Sequence, residues 1–121
     1  MLILENLRSV ENTASIFRTA EGLGVAKIIC VGTTPTPVDR FGRVRPDFAK
    51  VSLGAEKTLD WECRKNISEV IDELKSQEFK IISLEQHPKA KKLKSGDKEQ
   101  GLFALIVGNE VDGVSKEALD A

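Results

Sequence analysis

Short apolar runs alternate with helical patterns along this chain, and that alternation constrains the fold more than any other feature of the sequence. Four runs have the length of a strand and are bounded by turn residues; they lie at positions 2–4, 27–31, 79–84 and 102–107. Each is apolar at consecutive positions, which is typical of strands that are buried on both faces. The pattern predicts an α/β fold, a parallel sheet with helices on both faces and right-handed crossovers.

Residues that favour helix boundaries occur between these strands. The expected first residues of four helices are Asn12, Pro46, either Asn66 or Ser68, and Ser115. Asparagine and serine favour the N-cap, and proline favours the first turn. We expect the first helix to end near Leu23, where Gly24 follows, and the second to end near Gly54. The apolar face of the first helix is expected to consist of Ile16, Phe17, Ala20 and Leu23.

Length, charge and residue usage limit the classes of function. The chain has 121 residues, a net charge of -1 and two cysteines, and we expect a single domain over residues 1–121. Two cysteines make neither a disulfide framework nor a zinc cluster, so we expect no metal site, and no apolar run is long enough for a membrane segment. Cys30 lies in an apolar run and is expected in the core. These features favour a reducing, cytoplasmic setting.

The charge balance does not indicate a broad electrostatic attraction to nucleic acid. Domains that bind nucleic acid usually carry a basic excess, which this chain lacks. Two local basic patches exist, at 39–45 and 89–94. Because charge runs of this kind are most often solvated loops, neither patch indicates RNA binding by itself.

Polar loops follow the strands at the edge of the sheet where ligands of parallel sheets bind. These loops lie at 5–11, 84–88 and 108–114. In the helix after the first loop, Arg18 is expected to point back toward the strand end, which would let it bind a phosphate or a carboxylate. The alternative is an exposed arginine that pairs with Glu21.

The loop at 107–115 follows a strand, opens a helix and combines two glycines with polar side chains. Gly108 and Gly113 permit tight turns and close approach of the protein backbone to a ligand. Glu110 is placed to accept a hydrogen bond from a ribose hydroxyl or to orient a partner residue. The alternative is a plain strand-to-helix turn whose acidic residues are favoured by the helix dipole. The loop matches neither the dinucleotide-binding pattern nor the P-loop.

Taken together, the two segments resemble the first two motifs of the SpoU-type ribose methyltransferases, of the SPOUT class. The first motif is similar to Asn6-x-Arg8-x-x-x-Asn12-x-Ala14-x-Ile16-x-Arg18-Thr19-Ala20, and the second to Val107-Gly108-Asn109-Glu110-x-x-Gly113-Val114-Ser115. The stretches at 34–37, 52–58 and 82–86, and Trp61, also resemble parts of one branch of the family. The resemblance covers nearly the whole chain.

The resemblance implies transfer of a methyl group from S-adenosylmethionine to a ribose 2′-hydroxyl of tRNA or rRNA. It also implies a homodimer and a deep trefoil knot, which general topology rules do not predict. Family members carry a third motif after the last helix, and no such segment occurs before Ala121. We therefore expect a C-terminally truncated core, an SPOUT-type fold whose knot is incomplete.

The resemblance also assigns roles to single residues of this chain. The catalytic centre is expected to contain Arg18, Asn12 and Glu110, and the cofactor contacts are expected at Leu84, Glu85, Gly108, Asn109, Glu110 and Gly113. The candidate RNA-binding residues are Arg8, Arg40, Arg43 and Arg45. Because arginine stays protonated in proteins, we expect Arg18 to bind phosphate and to stabilise a developing alkoxide.

Two other interpretations stay open on the sequence alone. The first is a non-catalytic RNA-binding or interaction module on the same core, which would bind RNA without binding the cofactor. The second is a flavodoxin-like nucleotide or signalling domain, which would carry a phosphate-accepting aspartate at a strand end. No aspartate ends an apolar run in this sequence, so the second interpretation ranks last.

Overall fold

The computed structural model describes residues 1–84 and 101–121, and within them the chain forms a parallel β-sheet. Its five strands are β1 (Leu2–Glu5), β2 (Lys27–Val31), β3 (Asp60–Arg64), β4 (Lys80–Leu84) and β5 (Phe103–Val107). They lie in the order β3-β2-β1-β5-β4. Four of them coincide with the predicted apolar runs, and every pairing is parallel, which confirms the predicted sheet. The central strand, β1, is buried along its whole length.

Helices cover both faces of the sheet, as predicted, and residues 1–84 and 101–121 contain five of them where four were expected. They are α1 (Val10–Gly22), α2 (Pro46–Ser52), α3 (Ala55–Thr58), α4 (Ile67–Ser76) and α5 (Lys116–Asp120). α1, α2 and α3 pack on the face that carries Leu4 and Cys30. Phe17 of α1 and Phe48 of α2 meet there edge to face, with 5.1 Å between ring centroids. α4 and α5 pack on the opposite face against Ile3, because neighbouring residues of a strand point to opposite sides.

One strand, β3, is absent from the predicted runs because its residues are mostly charged. It lies at the edge of the sheet and pairs with β2, where Lys27 Nζ lies 3.3 Å from the Glu62 carboxylate. Arg64 forms an ion pair with Glu73 of α4 at 2.9 Å. Charged side chains are common on edge strands because they deter pairing with other chains. A search for apolar runs therefore misses such a strand.

The N-terminus of α1 differs from the prediction. Ser9 is the N-cap in place of Asn12: its side chain accepts a hydrogen bond from the Asn12 backbone N–H at 3.0 Å. Asn12 lies in the first turn, and its own side chain is left for contacts outside the helix. At the other end, Gly24 has a left-handed φ of 75° and ends the helix as predicted. Leu23, expected in the apolar face, is 78% exposed.

The second helix has the predicted bounds, and a short helix that was not predicted follows it. α2 begins at Pro46 and ends at Ser52, close to the predicted end at Gly54, because Leu53 and Gly54 both adopt left-handed φ values, of 53° and 86°. No α-helix continues through two consecutive residues in that conformation. The four residues of α3 then begin after Gly54.

Two capping residues are found where the sequence places them. Asn66, rather than Ser68, caps α4, and its side chain accepts hydrogen bonds from two backbone N–H groups. Ser115 caps α5 and accepts from the Ala118 N–H. The Ser68 hydroxyl donates to the Glu117 carboxylate at 2.6 Å, which joins the starts of α4 and α5.

Cys30 is fully buried, which confirms the predicted core position. Burial, with a smaller contribution from the neighbouring Cys63, raises the pKa of its thiol to about 12, so the nucleophilic thiolate does not form at neutral pH. Within residues 1–84 and 101–121, no helix is long and apolar enough to cross a bilayer. The same residues contain no group of three His, Cys, Asp or Glu side chains that is arranged to hold a metal ion.

Candidate active site

The carboxyl ends of three neighbouring strands meet at one edge of the sheet. Val107, the last residue of β5, is in register with Leu4 of β1 on one side and with Leu84 of β4 on the other. The loops after β1 and β5 therefore lie side by side, as the sequence predicts. Of the third predicted loop only Leu84, which is exposed, is described. Glu85 and the basic patch at 89–94 lie outside the described residues.

The carboxylate of Glu110, in the loop after β5, lies against the start of α1. It accepts hydrogen bonds from the backbone N–H groups of Arg8, at 3.1 Å, and Ser9, at 3.0 Å. The side-chain amide of Asn12 donates to the same carboxylate over a long 3.5 Å. The structure thus brings together two of the three predicted catalytic residues, Asn12 and Glu110. The alternative was a strand-to-helix turn whose acidic residues are favoured by the dipole of the helix that follows. It is wrong in one respect, because Glu110 accepts its hydrogen bonds at the N-terminus of α1.

The hydrogen bonds at Glu110 set its protonation state. Partial desolvation raises the pKa of this carboxyl, but hydrogen bonds from the backbone N–H groups of Ser9, Glu110 itself and Arg8, and from the Asn12 amide, outweigh that effect. The net result is a pKa below the ordinary value of 4.5. Glu110 is therefore a carboxylate at neutral pH and serves as a hydrogen-bond acceptor, not as a proton donor.

Asn109 shapes the loop that carries Glu110. Its side-chain oxygen accepts from the backbone N–H groups of Val111 and Asp112 at 2.8 and 2.9 Å, and its amide nitrogen donates to the Asn6 carbonyl at 2.7 Å. Its backbone also exchanges hydrogen bonds with Gly113, at 3.0 and 2.9 Å. Gly113 has the positive φ, 71°, that the predicted tight turn requires. The side-chain oxygen and nitrogen of Asn109 therefore both form hydrogen bonds within the protein.

Glycine is required at position 108 because the loop folds back and brings the backbone of Gly113 and Val114 close to it. A Cβ atom built on Gly108 would overlap the peptide unit between Gly113 and Val114. The sequence predicts a close approach of a ligand at this glycine, whereas the approaching group in the structure is the chain's own backbone. A side chain at position 108 would force the loop apart and move Glu110 away from α1.

A buried carboxylate that the sequence analysis passes over holds the far end of the loop. Glu5, the last residue of β1, is 2% exposed and accepts hydrogen bonds from the backbone N–H of Ser115 at 2.9 Å and from its hydroxyl at 2.6 Å. The loop is thus attached at Glu110 to the start of α1 and at Ser115 to the end of β1. An acidic residue directly after an apolar strand is the signal that would have indicated Glu5.

Thr34 joins the loop after β1 to the end of β2. Its buried hydroxyl accepts from the Leu7 N–H at 3.1 Å and lies within hydrogen-bonding distance of the Leu4 and Val31 carbonyls, at 2.7 and 2.9 Å. Because one hydroxyl has one proton, it donates to one of the two carbonyls at a time. This contact fixes the path of the chain between β1 and α1.

A cavity of about 370 Å³ opens between the start of α1 and the end of β5. Its lining residues are Leu7, Asn12, Ser15, Ile16, Val107, Gly108 and Glu110. The walls are largely aliphatic, and the polar groups are a carboxylate, an amide and a hydroxyl. Ser15 contributes the hydroxyl group, and it is not among the site residues predicted from the sequence. A cavity of this kind accommodates a ligand with an apolar body and hydroxyl groups.

Arg18, the third predicted catalytic residue, does not line this cavity. It is exposed on α1, and among the described residues no carboxylate forms an ion pair with it, so the alternative pairing with Glu21 is not found. Its guanidinium is thus available to a group from outside the chain.

Comparison with known proteins assigns the chain to a family. The family model described as the SpoU rRNA Methylase family matches residues 1–121. The chain belongs to this family. A Staphylococcus aureus protein assigned to the TrmH family of tRNA/rRNA methyltransferases is 30% identical over 120 residues, which are 99% of the chain and 45% of that relative. The tRNA (guanosine(18)-2'-O)-methyltransferase of Borreliella burgdorferi is 27% identical over 119 residues, which are 98% of the chain and 50% of that enzyme.

Solved structures of RNA-modifying enzymes share the fold. The A. aeolicus TrmH/SpoU tRNA modifying enzyme superposes with a TM-score of 0.80 at 21% identity, over 99% of the chain and 57% of that enzyme. The AdoMet-bound rRNA methyltransferase from Sinorhizobium meliloti has a TM-score of 0.75 at 20% identity, over 98% of the chain and 42% of the enzyme. The SpoU-family chain spans about half the length of the relatives that it matches.

The candidate RNA-binding arginines of this SpoU-family chain lie in two places. Arg8 is exposed in the loop between β1 and α1, where its backbone N–H binds Glu110. Arg40, Arg43 and Arg45 lie in a hairpin between β2 and α2, which is closed by an isolated backbone bridge between Val38 and Val44. Their contact with RNA stays a prediction.

Proposed function

We propose that this chain is the core of an S-adenosylmethionine-dependent methyltransferase that acts on a ribose 2′-hydroxyl of tRNA or rRNA. The observation that carries the proposal is the contact of Glu110 with Arg8, Ser9 and Asn12, because it makes one site out of the two family motifs. Membership of the SpoU family supports RNA methylation. The B. burgdorferi relative, named for 2′-O methylation, and the AdoMet-bound S. meliloti structure support the ribose target and the cofactor.

The residues around the cavity fit this cofactor. When bound, S-adenosylmethionine supplies a methyl group on a positively charged sulfur, and the transfer breaks a C–S bond, forms a C–O bond to the ribose and releases the hydroxyl proton to solvent. The Glu110 carboxylate is the charged group in the cavity lining, and its sign suits a cation. The aliphatic walls formed by Leu7, Ile16 and Val107 suit an apolar body. Leu84 and Gly108 are the proposed backbone contacts.

Arg18 is the proposed group at the reacting oxygen. It would hold the phosphate next to the target ribose by paired hydrogen bonds and stabilise the charge that develops on the attacking oxygen. Arg18 would not take the proton itself, because a guanidinium stays protonated. Asn12 and Glu110 would act as positioning residues that hold the start of α1, and with it Arg18, relative to the loop after β5.

The test is a pair of measurements on the 121-residue chain. Calorimetric titration measures S-adenosylmethionine binding, and transfer of a labelled methyl group to tRNA or rRNA measures activity. Alkaline hydrolysis of the labelled RNA identifies the acceptor, since 2′-O-methylated linkages resist cleavage and base-methylated nucleotides do not protect theirs. We expect Arg18→Ala to leave cofactor affinity unchanged and to reduce the transfer rate about 100- to 1,000-fold.

Two controls make the result specific. Lys50→Ala removes an exposed cation from α2, away from the site, and is expected to change neither measurement. Arg18→Lys keeps the charge without the paired donors and should restore only part of the rate. Label found on bases, or a rate unaffected by Arg18→Ala, would overturn the proposal. RNA affinity without cofactor affinity would favour the non-catalytic module. The homodimer, the knot and the truncation stay predictions.

A further inference from the structure

The segment at 38–45, here called the arginine hairpin, is a rigid turn that projects from the fold between β2 and α2. A backbone bridge joins Val38 and Val44, and the Asp39 N–H donates to the Arg43 carbonyl at 2.8 Å. The Asp39 carboxylate accepts from the backbone N–H groups of Phe41, at 2.8 Å, and Arg43, at 3.0 Å. Gly42 supplies the positive φ of 77° that closes the turn. The tip therefore has one defined conformation.

The rigid turn presents an aromatic ring to solvent. Phe41 is 64% exposed, and the guanidinium carbons of Arg40 and Arg43 lie 4.8 and 5.0 Å from its ring centroid. A single exposed apolar side chain is common and has no meaning by itself. Here two cations lie beside the ring, within the range of cation–π attraction. Phe41 belongs to neither core cluster, so its exposed surface, with the two guanidinium groups beside it, is available to a ligand.

A second cavity, of about 430 Å³, lies at the base of the hairpin. Arg40 and Arg45 line it together with the hydroxyl-bearing Thr33 and Thr36, and Trp61 of β3 contributes an aromatic wall. Guanidinium and hydroxyl groups are the side chains that contact phosphate and ribose in protein–nucleic acid complexes. The hairpin thus combines a stacking surface at its tip with a phosphate-binding wall at its base.

We propose that the arginine hairpin binds a single-stranded segment of RNA, with an unpaired base stacked on the exposed surface formed by Arg40, Phe41 and Arg43. The backbone phosphate next to that base would contact Arg45 in the cavity at the base of the hairpin. This inference rests on the proposed function, because it supplies the substrate contact of the same enzyme. Bases that are unstacked and exposed pack on aromatic rings and guanidinium planes in single-stranded RNA recognition.

Single-stranded RNA fits this surface better than a duplex does. A duplex presents phosphates and groove edges, and its base faces are covered by their neighbours, so an aromatic ring at a hairpin tip gains nothing from it. An overall charge of -1 gives the chain little general attraction for a duplex. Three arginines and one aspartate give the hairpin a local excess of positive charge that suits one strand.

The experiment measures the affinity of the whole chain for an unstructured, fluorescein-labelled RNA of about 12 nucleotides by fluorescence anisotropy, without cofactor. Phe41→Ala is expected to weaken binding about 5- to 150-fold, the effect of losing one base–aromatic stack. Phe41→Trp should retain the affinity, and Phe41→Leu should not, because leucine is apolar but has no ring. Arg45→Ala should weaken binding to all sequences and lower the salt dependence by about 0.7 in the logarithmic slope.

A second readout separates stacking from a change in hairpin shape. 2-Aminopurine placed in the RNA loses fluorescence when it stacks, and we expect that loss with the native chain and with Phe41→Trp but not with Phe41→Leu. The control Leu23→Ala removes another exposed apolar side chain, far from the hairpin in sequence, and should leave affinity unchanged. Unfolding curves that coincide for all variants would exclude a loss of structure.

Three results would overturn the inference. They are the absence of RNA binding, binding that Phe41→Ala leaves unchanged, and equal affinity for a duplex of the same length with the same dependence on Phe41. The proposed function fails independently, when the chain transfers no methyl group to ribose. RNA binding that depends on Phe41 in a chain without methyl transfer would keep this inference and refute that function.

Discussion

The carboxylate of Glu110 accepts a hydrogen bond from the backbone N–H of Ser9 at 3.0 Å, although 101 positions separate the two residues. The N–H groups at the start of a helix have no partners within the helix, and the helix dipole favours an anion there. Glu110 provides both the acceptor and the charge for α1. The contact therefore joins the two motif segments electrostatically, and its strength depends on the ionisation of one carboxyl.

The first prediction concerns the pH dependence of this contact. Because the pKa of folded Glu110 is below its ordinary value of 4.5, the charge contributes stability that is complete above that value and is lost as the pH falls through the folded pKa. Glu110→Gln should lower the free energy of unfolding at pH 7 by about 0.3–1 kcal/mol, since the contact is exposed. Urea denaturation at pH 7 and at pH 3 should show a smaller difference from wild type at pH 3 than at pH 7.

Asp112→Asn is the matched control for that measurement. Asp112 is an exposed acid in the same loop, and among the described residues its carboxylate has no hydrogen-bond partner. Its replacement should change stability little at either pH. An equal pH-dependent loss in Asp112→Asn would mean that the charge of the loop as a whole, and not the contact with Ser9, is responsible.

The second prediction concerns the buried pair of Glu5 and Ser115. Glu5→Ala leaves the Ser115 N–H and hydroxyl without their buried acceptor, which should cost about 1–3 kcal/mol of unfolding free energy. Glu5→Gln keeps one acceptor oxygen and offers a donor to the hydroxyl oxygen, so it should cost less. Thermal or urea unfolding of the three proteins measures the order wild type, Gln, Ala.

A double-mutant cycle tests whether the two residues act as a pair. Ser115→Ala also removes the N-cap of α5, and that part of its cost, about 1 kcal/mol, should be independent of Glu5. The remainder should disappear in the Glu5→Ala background. Strictly additive costs of the two substitutions would refute a pair that holds the loop to β1.

The sequence predicts the centre of the fold better than its edges, for a physical reason. β1 is buried between two helical layers, and Ala104 and Ile106 of the neighbouring β5 are buried as well, so these strands are apolar at consecutive positions, and that pattern is visible in the chain. β3 is at the edge, where charges are tolerated and useful, and nothing in its composition separates it from a loop. N-caps such as Asn66 can be predicted because the capping side chain binds backbone N–H groups two or three residues further along the chain.

The site is predicted less completely, because most of its geometry comes from contacts between distant residues. The motif resemblance assigns Asn12 and Glu110 to the same site, and in the structure their side chains lie 3.5 Å apart. The resemblance does not predict that Glu5 is buried against Ser115. Nor does it predict that the Thr34 hydroxyl accepts a hydrogen bond from the loop after β1. Such contacts depend on strand order, and strand order is not encoded by any local pattern.

The third prediction contrasts two glycines. A Cβ at Gly108 would overlap the backbone between Gly113 and Val114, which cannot rotate away as a side chain can. Gly108→Ala should therefore lower the unfolding free energy by about 1–3 kcal/mol, the cost of overpacking. Because the loop must move, cofactor affinity measured by calorimetry should fall as well.

Gly22→Ala is the control, and its expected effect has the opposite sign. Gly22 is the last residue of α1, and a Cβ there would meet no atom within 4 Å. Alanine at this position restricts the unfolded chain and should raise the unfolding free energy by about 0.4–1 kcal/mol. Urea denaturation of the two variants measures both changes in unfolding free energy. A loss of stability in both variants would show that alanine is unfavourable at these glycines for a reason other than the loop contact. A gain in both would show that the loop opens without a loss of stability. Opposite signs, with cofactor affinity lost only in Gly108→Ala, are the result that the close approach at Gly113 requires.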